Sequence, residues 1–280
     1  MNELTYTNND GDKIELNTGV YRLKEITGIY HAPGQSVLTN VPLKVPPLVY
    51  YGHNPGQRTI DVTLVVQGWC TDTLIDNIRA LYTHFWVDVR DDELGVLTYT
   101  TLNEQTRAIA VTPPQGEDPG LNSWWIASAA STGFYDVTLR FIAPNPTWYD
   151  PVVTAPAGMS LAGAVPVNYS CTNNGDCDAY PTITYTAGAS TATNPKCTDS
   201  YGNEFQLSEQ VTAGEVCTCV LDPQNLSITN SVDGDWLGKR TSGSRLVKVA
   251  PGTHNLVFVG EAGDLAGITV TYNDRYSGHG

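Results

Sequence analysis

The residues best suited to chemistry are six cysteines, five of which fall in the second half of the chain. Cys70 stands alone, and the others follow as Cys171, Cys177, Cys197, Cys217 and Cys219. Four of these five, all but Cys197, would be enough to bind a zinc ion. However, Cys217 and Cys219 are separated by a single residue, which is poor spacing for a zinc knuckle. A disulfide is the second alternative. Because the polar N-terminus is no signal peptide, the pattern favours a third, reduced thiols packed in the interior.

Acidic residues cluster directly after a helical stretch, and carboxylate oxygens are the ligands that hard cations prefer. The cluster consists of Asp88, Asp91, Asp92 and Glu93. It would suit calcium, but it lacks the Asp-x-Asp-x-Asp-Gly order of a calcium-binding loop, so the pattern favours a solvated turn. Asp10-Gly-Asp12 and Asp233-Gly-Asp235 predict hairpin turns, because glycine supplies a positive φ.

The usual signatures of catalysis are missing from the sequence. It contains no GxSxG elbow, no HExxH pair, no phosphate-binding loop and no dinucleotide fingerprint. The five histidines are scattered along the chain as His31, His53, His84, His254 and His279. No nucleophile, base or carboxylate pair can be nominated, so we predict that the protein is not an enzyme and binds no cofactor.

Composition excludes several classes of partner. The formal net charge is −14 and no lysine or arginine cluster occurs, whereas binding to a phosphate backbone needs basic stripes. An acidic wall that lets DNA slide past stays open as an alternative. No apolar run approaches membrane-spanning length, so we expect no membrane contact. The 26 glycines and 17 prolines, with only 16% charged residues, are typical of short strands joined by turns.

Periodicity predicts a mainly β protein with one helix. Alternating apolar residues mark half-buried antiparallel strands; they are Ile60, Val62, Leu64 and Val66, then Tyr135, Val137, Leu139 and Phe141, and later Ile268, Val270 and Tyr272. The stretch Gly95–Val111 predicts a hairpin that turns near Asn103. Helical spacing over about 72–87 predicts one amphipathic helix, capped by Thr71 or Asp72, that covers a sheet and ends near Trp86. Its apolar stripe is predicted to be core, and the stripe consists of Leu74, Ile75, Ile78, Leu81, Tyr82 and Phe85.

A domain boundary is predicted where prolines accumulate. The run from Ala143 to Pro151 has three prolines in nine residues, which forbids a central strand or a helix. We therefore predict an N-terminal β domain at 1–150, a linker at 151–163 and a C-terminal β domain at 164–280.

Exposed aromatic residues are expected at subunit interfaces or sugar sites. The adjacent pairs Tyr50-Tyr51, Trp124-Trp125 and Trp148-Tyr149 cannot direct both rings into one core if they lie on strands. The apolar, proline-bounded segment Pro46–Pro55 is a candidate for lying across a neighbouring subunit, the alternative being a loop folded over its own domain. Its candidate interface residues are Leu48, Val49, Tyr50, Tyr51 and His53.

The order of several short segments resembles the distal tail proteins (Dit) of long-tailed, non-contractile phages. The N-terminal segments are Ile14–Asn17 with Tyr21-Arg-Leu and Ile26-Thr-Gly28, then Arg58–Gly68, then the hairpin Gly95–Val111, and then Leu139–Trp148. In the second half, Val167-Asn-Tyr, Asn174-Gly-Asp and Ala179–Ile183 resemble the start of the family's galectin-like sandwich. Val249–Phe258 and Ile268–Tyr272 resemble its last two strands. The resemblance spans nearly the whole chain.

This resemblance implies an N-terminal, ring-forming β-sandwich or barrel-like domain followed by a galectin-like β-sandwich. The family forms a homohexameric ring between the tail tube and the tail-tip hub with its receptor-binding apparatus. The lumen admits the tape measure protein and later DNA. The implied location is the virion tail tip, after assembly in the host cytoplasm. The cysteine cluster is not a feature of the family.

Two further hypotheses come from other classes of protein. Galectin-like sandwiches with outward aromatic rings also suit a carbohydrate-binding protein. A glycan-cleaving enzyme would need a pair of carboxylates. A ring predicts self-assembly, a lectin predicts sugar binding that one exposed aromatic ring supports, and an enzyme predicts activity that one carboxylate supports.

Overall fold

The computed structural model describes residues 3–30, 34–40, 48–101, 103–114 and 133–278, with the backbone alone described for 34–40 and 48–55. The chain divides into two compact units. Unit 1 is Met1–Trp148 with Ser277–Gly280, and unit 2 is Tyr149–Tyr276. Both are built of antiparallel strands, which confirms the mainly β prediction.

The described residues of unit 1 form one long helix and a series of strands. The elements in chain order are β1 (Glu3–Thr7), β2 (Lys13–Glu15), β3 (Tyr21–Thr27), β4 (Gly34–Asn40), β5 (Leu48–Pro55), β6 (Arg58–Gln67), α1 (Thr71–Asp91), β7 (Gly95–Thr100), β8 (Thr106–Val111) and β9 (Phe134–Ala143); β10 (Trp148–Tyr149) follows. One sheet contains the order β2-β1-β7-β8, a second is β3-β6-β9, and β4 pairs with β5 in a two-stranded arm.

The alternation read from the sequence is confirmed on β6 and β9. Ile60, Val62, Leu64 and Val66 are all buried, and so are Val137, Leu139 and Phe141. The two strands pair from Arg58↔Ala143 to Gln67↔Phe134, which aligns their apolar faces. The predicted hairpin is also present, since β7 pairs with β8 from Gly95↔Val111 to Thr100↔Thr106.

Helix α1 begins one residue earlier and ends four residues later than the predicted 72–87. The N-cap is Cys70 and not Thr71 or Asp72. The backbone N–H of Cys70 donates to Thr73 Oγ1 at 3.0 Å, which satisfies one of the donors at the start of the helix. The helix ends where Asp92 adopts the left-handed conformation with φ 54°, which aspartate tolerates better than most residues.

The prediction of a solvated turn after the helix is wrong for Asp88, which is fully buried in the last turn of α1. Its carboxylate accepts a short hydrogen bond from the Tyr6 hydroxyl and one of 2.7 Å from the backbone N–H of Asn9. Burial and this carboxylate raise the pKa of Tyr6 well above its usual value. Gly95 makes the pair possible, because a Cβ there would collide with the Tyr6 ring.

Three rings tie the helix to both sheets of unit 1. The ring of Tyr6 on β1 lies 4.8 Å from that of Phe85 on α1 and 5.6 Å from that of Phe141 on β9, between ring centroids. The Phe85 and Phe141 rings meet edge to face at 5.9 Å. The helix therefore packs against both sheets, and the prediction that its apolar stripe is core is confirmed for Leu74, Ile78, Leu81 and Phe85, all buried.

Unit 2 is a sandwich of two antiparallel sheets. Its elements are β11 (Met159–Ser160), β12 (Val167–Asn173), β13 (Thr182–Ala187), β14 (Ala192–Thr193), β15 (Lys196–Thr198), β16 (Glu204–Gln206), β17 (Gln210–Val211), β18 (Val216–Val220), β19 (Ser227–Asn230), β20 (Gly234–Asp235), a 3-10 helix (Leu237–Lys239), β21 (Gly252–Val259), β22 (Ala266–Thr271) and β23 (Arg275–Tyr276). The sheet orders are β11-β22-β13-β18-β19-β20 and β12-β21-β15-β16. The two inner faces share one core, in which the ring of Tyr185 from one sheet lies 6.3 Å from that of Phe258 from the other.

Four of the five clustered cysteines are buried in this core, as the packed-thiol alternative predicts. They are Cys171, Cys197, Cys217 and Cys219, while Cys177 is half-buried, and all five are free thiols. Burial raises the pKa of Cys171 to about 11 and that of Cys197 well above its usual value. A thiol held protonated in an apolar core is a poor nucleophile and a poor metal ligand.

The stretch predicted as a linker, 151–163, belongs to unit 2. Thr154 pairs with Tyr272, β11 pairs with β22, and Leu161 is fully buried in the sandwich core. Prolines in this stretch exclude a central strand but not an edge, and β11 is the edge of its sheet. The small, irregular residues therefore cover the sandwich.

Candidate assembly site

The buried side chain of Arg58 holds several chain segments of unit 1 together. The guanidinium of Arg58 at the start of β6 donates to the carbonyl oxygens of Gly28 at 2.8 Å, Pro146 at 2.7 Å and Ser277 at 2.5 Å. Arg58 thus joins three of the segments that carry the family resemblance, those ending at Gly28, beginning at Arg58 and containing Pro146. Gly28 has φ +81°, and a Cβ there would collide with the carbonyl oxygen of Thr59 on β6.

The outer face of the sheet β3-β6-β9 is polar and faces solvent. Lys24 pairs with Asp136 at 2.5 Å, Arg140 pairs with Asp61 at 2.7 Å, and the hydroxyls of Thr63 and Thr138 lie 3.3 Å apart. Pairs this exposed contribute little to stability, but they keep the face soluble and fix the register.

Large apolar side chains are exposed beside this sheet. Trp69, between β6 and α1, is 100% exposed, and Phe134, at the paired start of β9, is 51% exposed. Gly68 N–H donates to the carbonyl oxygen of Gly133 at 3.0 Å, so the two chain segments that carry Trp69 and Phe134 are held side by side. Aromatic residues are enriched in the cores of protein interfaces, so these two exposed rings are candidates for a contact surface.

Helix α1 carries further exposed apolar side chains. Ile75, Tyr82, Trp86 and Val89 are spaced by seven, four and three residues, which places them in one row along α1. We call this row the helix flank. Trp86 is 63% and Val89 47% exposed, whereas Ile75 and Tyr82 are half-buried. The helix flank adjoins the buried stripe and is a second apolar face of the same helix.

The interface residues predicted from the sequence lie on β5, and the structure does not test their role. Leu48, Val49, Tyr50, Tyr51 and His53 belong to the strand that pairs with β4 from Gly34↔Pro55 to Asn40↔Leu48. Their side chains lie outside the described part of the chain. The described part of the segment, Leu48–Pro55, is thus a paired strand, whereas the second sequence alternative supposed a loop. Strand pairing gives the arm a fixed register.

The structure tests the prediction for one of the three adjacent aromatic pairs. Trp148 is buried and Tyr149 is half-buried, so the pair divides between two environments as predicted. Trp124 and Trp125 lie outside the described residues. The helix flank was missed, because Tyr82 was assigned to the buried stripe and Trp86 to the helix end. The sequence did contain evidence for this second row, because α1 carries more apolar residues than one buried stripe requires.

The described residues offer little for bond-making chemistry. Within them, no three histidine, cysteine or acidic side chains converge as metal ligands, and no helix is long and apolar enough to cross a membrane. His84 packs edge to face against Phe85 at 6.2 Å, and His254 Nε2 lies 3.0 Å from the carbonyl oxygen of Pro251. His31 and His279 and the side chain of His53 lie outside the described part.

Comparison with known proteins identifies the fold. No protein-family model and no curated protein matches the chain. The crystal structure of the SPP1 Dit protein (gp 19.1), a paradigm of the hub adsorption apparatus in phages infecting Gram-positive hosts, matches with TM-score 0.67 at 15% identity, over 98% of this chain and 99% of that one. Two structures of the phage p2 baseplate in its activated conformation, with Sr and with Ca, match with TM-scores of 0.55 and 0.53.

The p2 matches have 9% and 10% identity and cover 97% of this chain and 98% of those chains. At such identities a match establishes the fold. The chain therefore has the fold of a phage distal tail protein, which confirms the resemblance read from its short segments.

Proposed function

We propose that the chain is a structural protein of a phage tail tip, in which copies of it form a closed homohexameric ring. The observation that carries the proposal is the match to the SPP1 Dit fold over 98% of this chain and 99% of that one. A match over both units supports a shared architecture and not a single common domain. The absence of catalytic motifs from the sequence agrees with a non-enzymatic role.

The ring is built by unit 1, and a second copy of the chain covers the helix flank. A ring needs two different surfaces on each copy that meet head to tail. The helix flank with Trp69 provides an apolar surface whose two tryptophans are 100% and 63% exposed. The arm β4–β5, with Leu48, Val49, Tyr50, Tyr51 and His53 on β5, provides the other. Tryptophan and tyrosine are the residues that dominate binding energy at such contacts.

In the tail, the ring joins the tail tube to the tail-tip hub and its receptor-binding apparatus. Its lumen holds the tape measure protein and later passes DNA, and the protein reaches the virion after assembly in the host cytoplasm. The net charge of −14 and the absence of a lysine or arginine cluster from the sequence agree with a ring to which passing DNA does not stick.

Light scattering on the purified protein, with negative-stain images of the same sample, tests the proposal. We expect closed rings with a central hole, whose mass is six times 30.3 kDa, or about 182 kDa. Closed particles with another number of copies would contradict the hexamer, and a monomer at every concentration would contradict self-assembly. Replacing Tyr50 and Tyr51 together by alanine should weaken the ring without unfolding the monomer, and unchanged assembly would exclude β5 from the contact.

A further inference from the structure

The described part of the chain buries four aspartates, Asp88, Asp199, Asp264 and Asp274, each at most 5% exposed. Taking a carboxylate out of water is costly unless hydrogen bonds or a positive charge compensate it. In the first three, both oxygens accept hydrogen bonds, most of them from backbone N–H groups. Asp274 is the exception, because within the described residues its Oδ1 is buried and has no hydrogen-bond partner.

The second oxygen of Asp274 has little compensation of its own. Oδ2 accepts one hydrogen bond of 2.9 Å, from the side-chain amide of Asn174. Within the described residues Asp274 forms no ion pair, and the adjacent Arg275 pairs instead with Asp222 at 2.6 Å. The contacts of the chain therefore leave this buried carboxylate with one neutral donor for two oxygens.

A second carboxylate faces Asp274. The segments 150–154 and 272–274 run antiparallel, since Thr154 pairs with Tyr272 and the Asp150 N–H donates to the Asp274 carbonyl oxygen at 2.9 Å. Residues bonded in this way project their side chains to the same side, and like charges in such a pair repel. The carboxylate of Asp150 is held in place, because its Oδ1 accepts from the Val152 N–H at 2.9 Å. A cation between the two carboxylates would turn this repulsion into attraction.

The loop that carries Asn174 is held against the strand that follows Asp274. Gly175 packs so closely that a Cβ there would lie 2.0 Å from the Arg275 carbonyl oxygen. The Cys177 N–H donates to the same carbonyl oxygen at 3.0 Å. These contacts place the Asn174 amide beside the carboxylates before any ion binds, and a preorganised site loses little conformational entropy on binding.

We propose that Asp274, Asp150 and Asn174 bind a calcium ion. Carboxylate and amide oxygens are the ligands of hard cations, and calcium accepts 6–8 oxygens in irregular geometry, water included. Magnesium demands a near-ideal octahedron, which oxygens from three separate chain segments do not readily supply. Asp150 is half-buried and Asn174 exposed, so the ion can enter from solvent. Because only two ligands are charged, we expect a dissociation constant of roughly 10⁻⁴–10⁻³ M, the range of extracellular calcium modules.

The ion would fasten the two ends of unit 2 together. Unit 2 begins at Tyr149 and ends at Tyr276, so Asp150 and Asp274 lie one and two residues inside its limits. An ion that binds only the folded unit stabilises it by mass action. All three ligands lie in unit 2, whereas the proposed ring contact lies in unit 1, so the two proposals can fail separately.

Calorimetric titration of the full chain with CaCl2 and with MgCl2, after a chelator has removed bound metal, tests the site. We expect one calcium ion per chain, and magnesium binding at least about tenfold weaker. Asp274→Asn and Asp150→Asn should each weaken calcium binding at least about tenfold. Asp233→Asn is the matched control, because it removes the same charge from an exposed turn of unit 2 and should leave binding unchanged.

Thermal unfolding adds a result that a purely structural role of Asp274 would not give. In chelator, Asp274→Asn should be at least as stable as the unchanged protein, because it removes an uncompensated buried charge. In calcium at about ten times its dissociation constant, the unchanged protein should unfold a few degrees higher, while Asp274→Asn should not respond. The order of stability of the two proteins should therefore reverse with calcium.

Three results would overturn the proposal. They are no saturable calcium binding, calcium binding that Asp274→Asn and Asp150→Asn leave unchanged, or a thermal shift that NaCl of equal ionic strength reproduces. Asp150→Asn, at a half-buried position, keeps the test decisive if Asp274→Asn does not fold. Light scattering on the same samples reports separately on assembly.

Discussion

Units 1 and 2 differ in where they keep their aromatic side chains. Among the described residues, the exposed large apolar side chains of unit 1 include Tyr30, Trp69, Trp86 and Phe134, whereas in unit 2 only Tyr201 is an exposed aromatic ring of this kind. The other exposed apolar residues of unit 2 are aliphatic and include Val165 and Val232. Scattered aliphatic residues are normal on protein surfaces, but exposed tryptophans are not.

Under the proposed function, the difference separates a unit that buries its aromatic rings in its own core from a unit that keeps some of them exposed for assembly. In unit 2 the rings of Tyr169, Tyr185 and Phe258 meet inside the sandwich, and Trp236 is buried as well. In unit 1 the rings of Tyr6, Phe85 and Phe141 fill the core, yet two tryptophans beside them stay in water. If this is correct, substitutions in the core of either unit should lower stability, and substitutions on the helix flank should weaken assembly alone.

The largest effect is expected at Arg58, on which the integrity of unit 1 depends. Replacing Arg58 by methionine leaves the carbonyl oxygens of Gly28, Pro146 and Ser277 without their buried donor. Hydrogen bonds to a charged group contribute about 1.5–3 kcal/mol each, and of these three only the bond to Pro146 is fully buried, so we expect the unfolding free energy to fall by about 3 kcal/mol. Urea denaturation measures the loss, and hydrogen exchange should locate it in unit 1.

Arg22→Met is the control for Arg58, because Arg22 is exposed on β3 of the same sheet. It should change stability by less than about 0.5 kcal/mol, as is usual for surface substitutions. Equal losses in the two variants would contradict the role assigned to Arg58.

The next largest effect is expected on assembly, at the helix flank. Trp86→Glu places a charge in the proposed contact between copies and should cost about 2–4 kcal/mol of association, the range of an interface hot spot. The folded monomer should be unaffected, since Trp86 is 63% exposed. Light scattering would then find monomers under conditions in which the unchanged protein forms rings.

Ala80→Glu introduces the same charge at an exposed position of α1 that faces away from the helix flank, and it should leave the ring intact. If both variants assembled normally, the helix flank would not be a contact. If both failed, the charge of the helix and not its apolar row would be responsible.

A smaller effect is expected in the core of unit 2. Val270 is fully buried on β22, and truncating it to alanine should cost about 2 kcal/mol through lost burial and the cavity left behind. Val232→Ala, at a position 70% exposed in the same unit, should cost almost nothing. Hydrogen exchange should show the loss of protection on β13 and β22, while ring formation persists. Loss of the ring in Val270→Ala would break the separation between the two units.

Local periodicity predicted most of the secondary structure because it depends on neighbouring residues. The faces of β6, β9 and β22, the hairpin of β7 and β8, and the presence of one helix all came from spacing alone. The helix end did not, because Asp88 is stabilised inside the helix by Tyr6, which is 82 residues away. A pattern of neighbouring residues contains no information on a partner at that separation.

The candidate site was predicted less well, for the same reason. Arg58 binds carbonyl oxygens 30 and 219 residues away, and carbonyls leave no mark in the sequence. The exposure of Trp86 depends on which apolar row of α1 meets the sheets, and spacing alone leaves both rows equivalent.

The smallest effect concerns thiol reactivity, which contrasts the units most directly. Cys70 of unit 1 is exposed, and hydrogen bonds from the Thr73 side chain and backbone lower the pKa of its thiol. Burial instead raises the pKa of Cys171 and Cys197 in unit 2.

A disulfide exchange reagent should therefore modify one thiol per chain rapidly. The rate of this fast reaction should be half-maximal at a pH below 9.0, the ordinary pKa of a thiol. Cys70→Ser should abolish the fast phase, and Thr73→Val should shift its midpoint upward. The slow thiols should react only as unit 2 unfolds, so Val270→Ala should accelerate them and leave Cys70 unchanged. Fast modification of more than one thiol in the unchanged protein would show that the core of unit 2 is open to solvent, and the contrast between a closed unit and an assembling one would then be wrong.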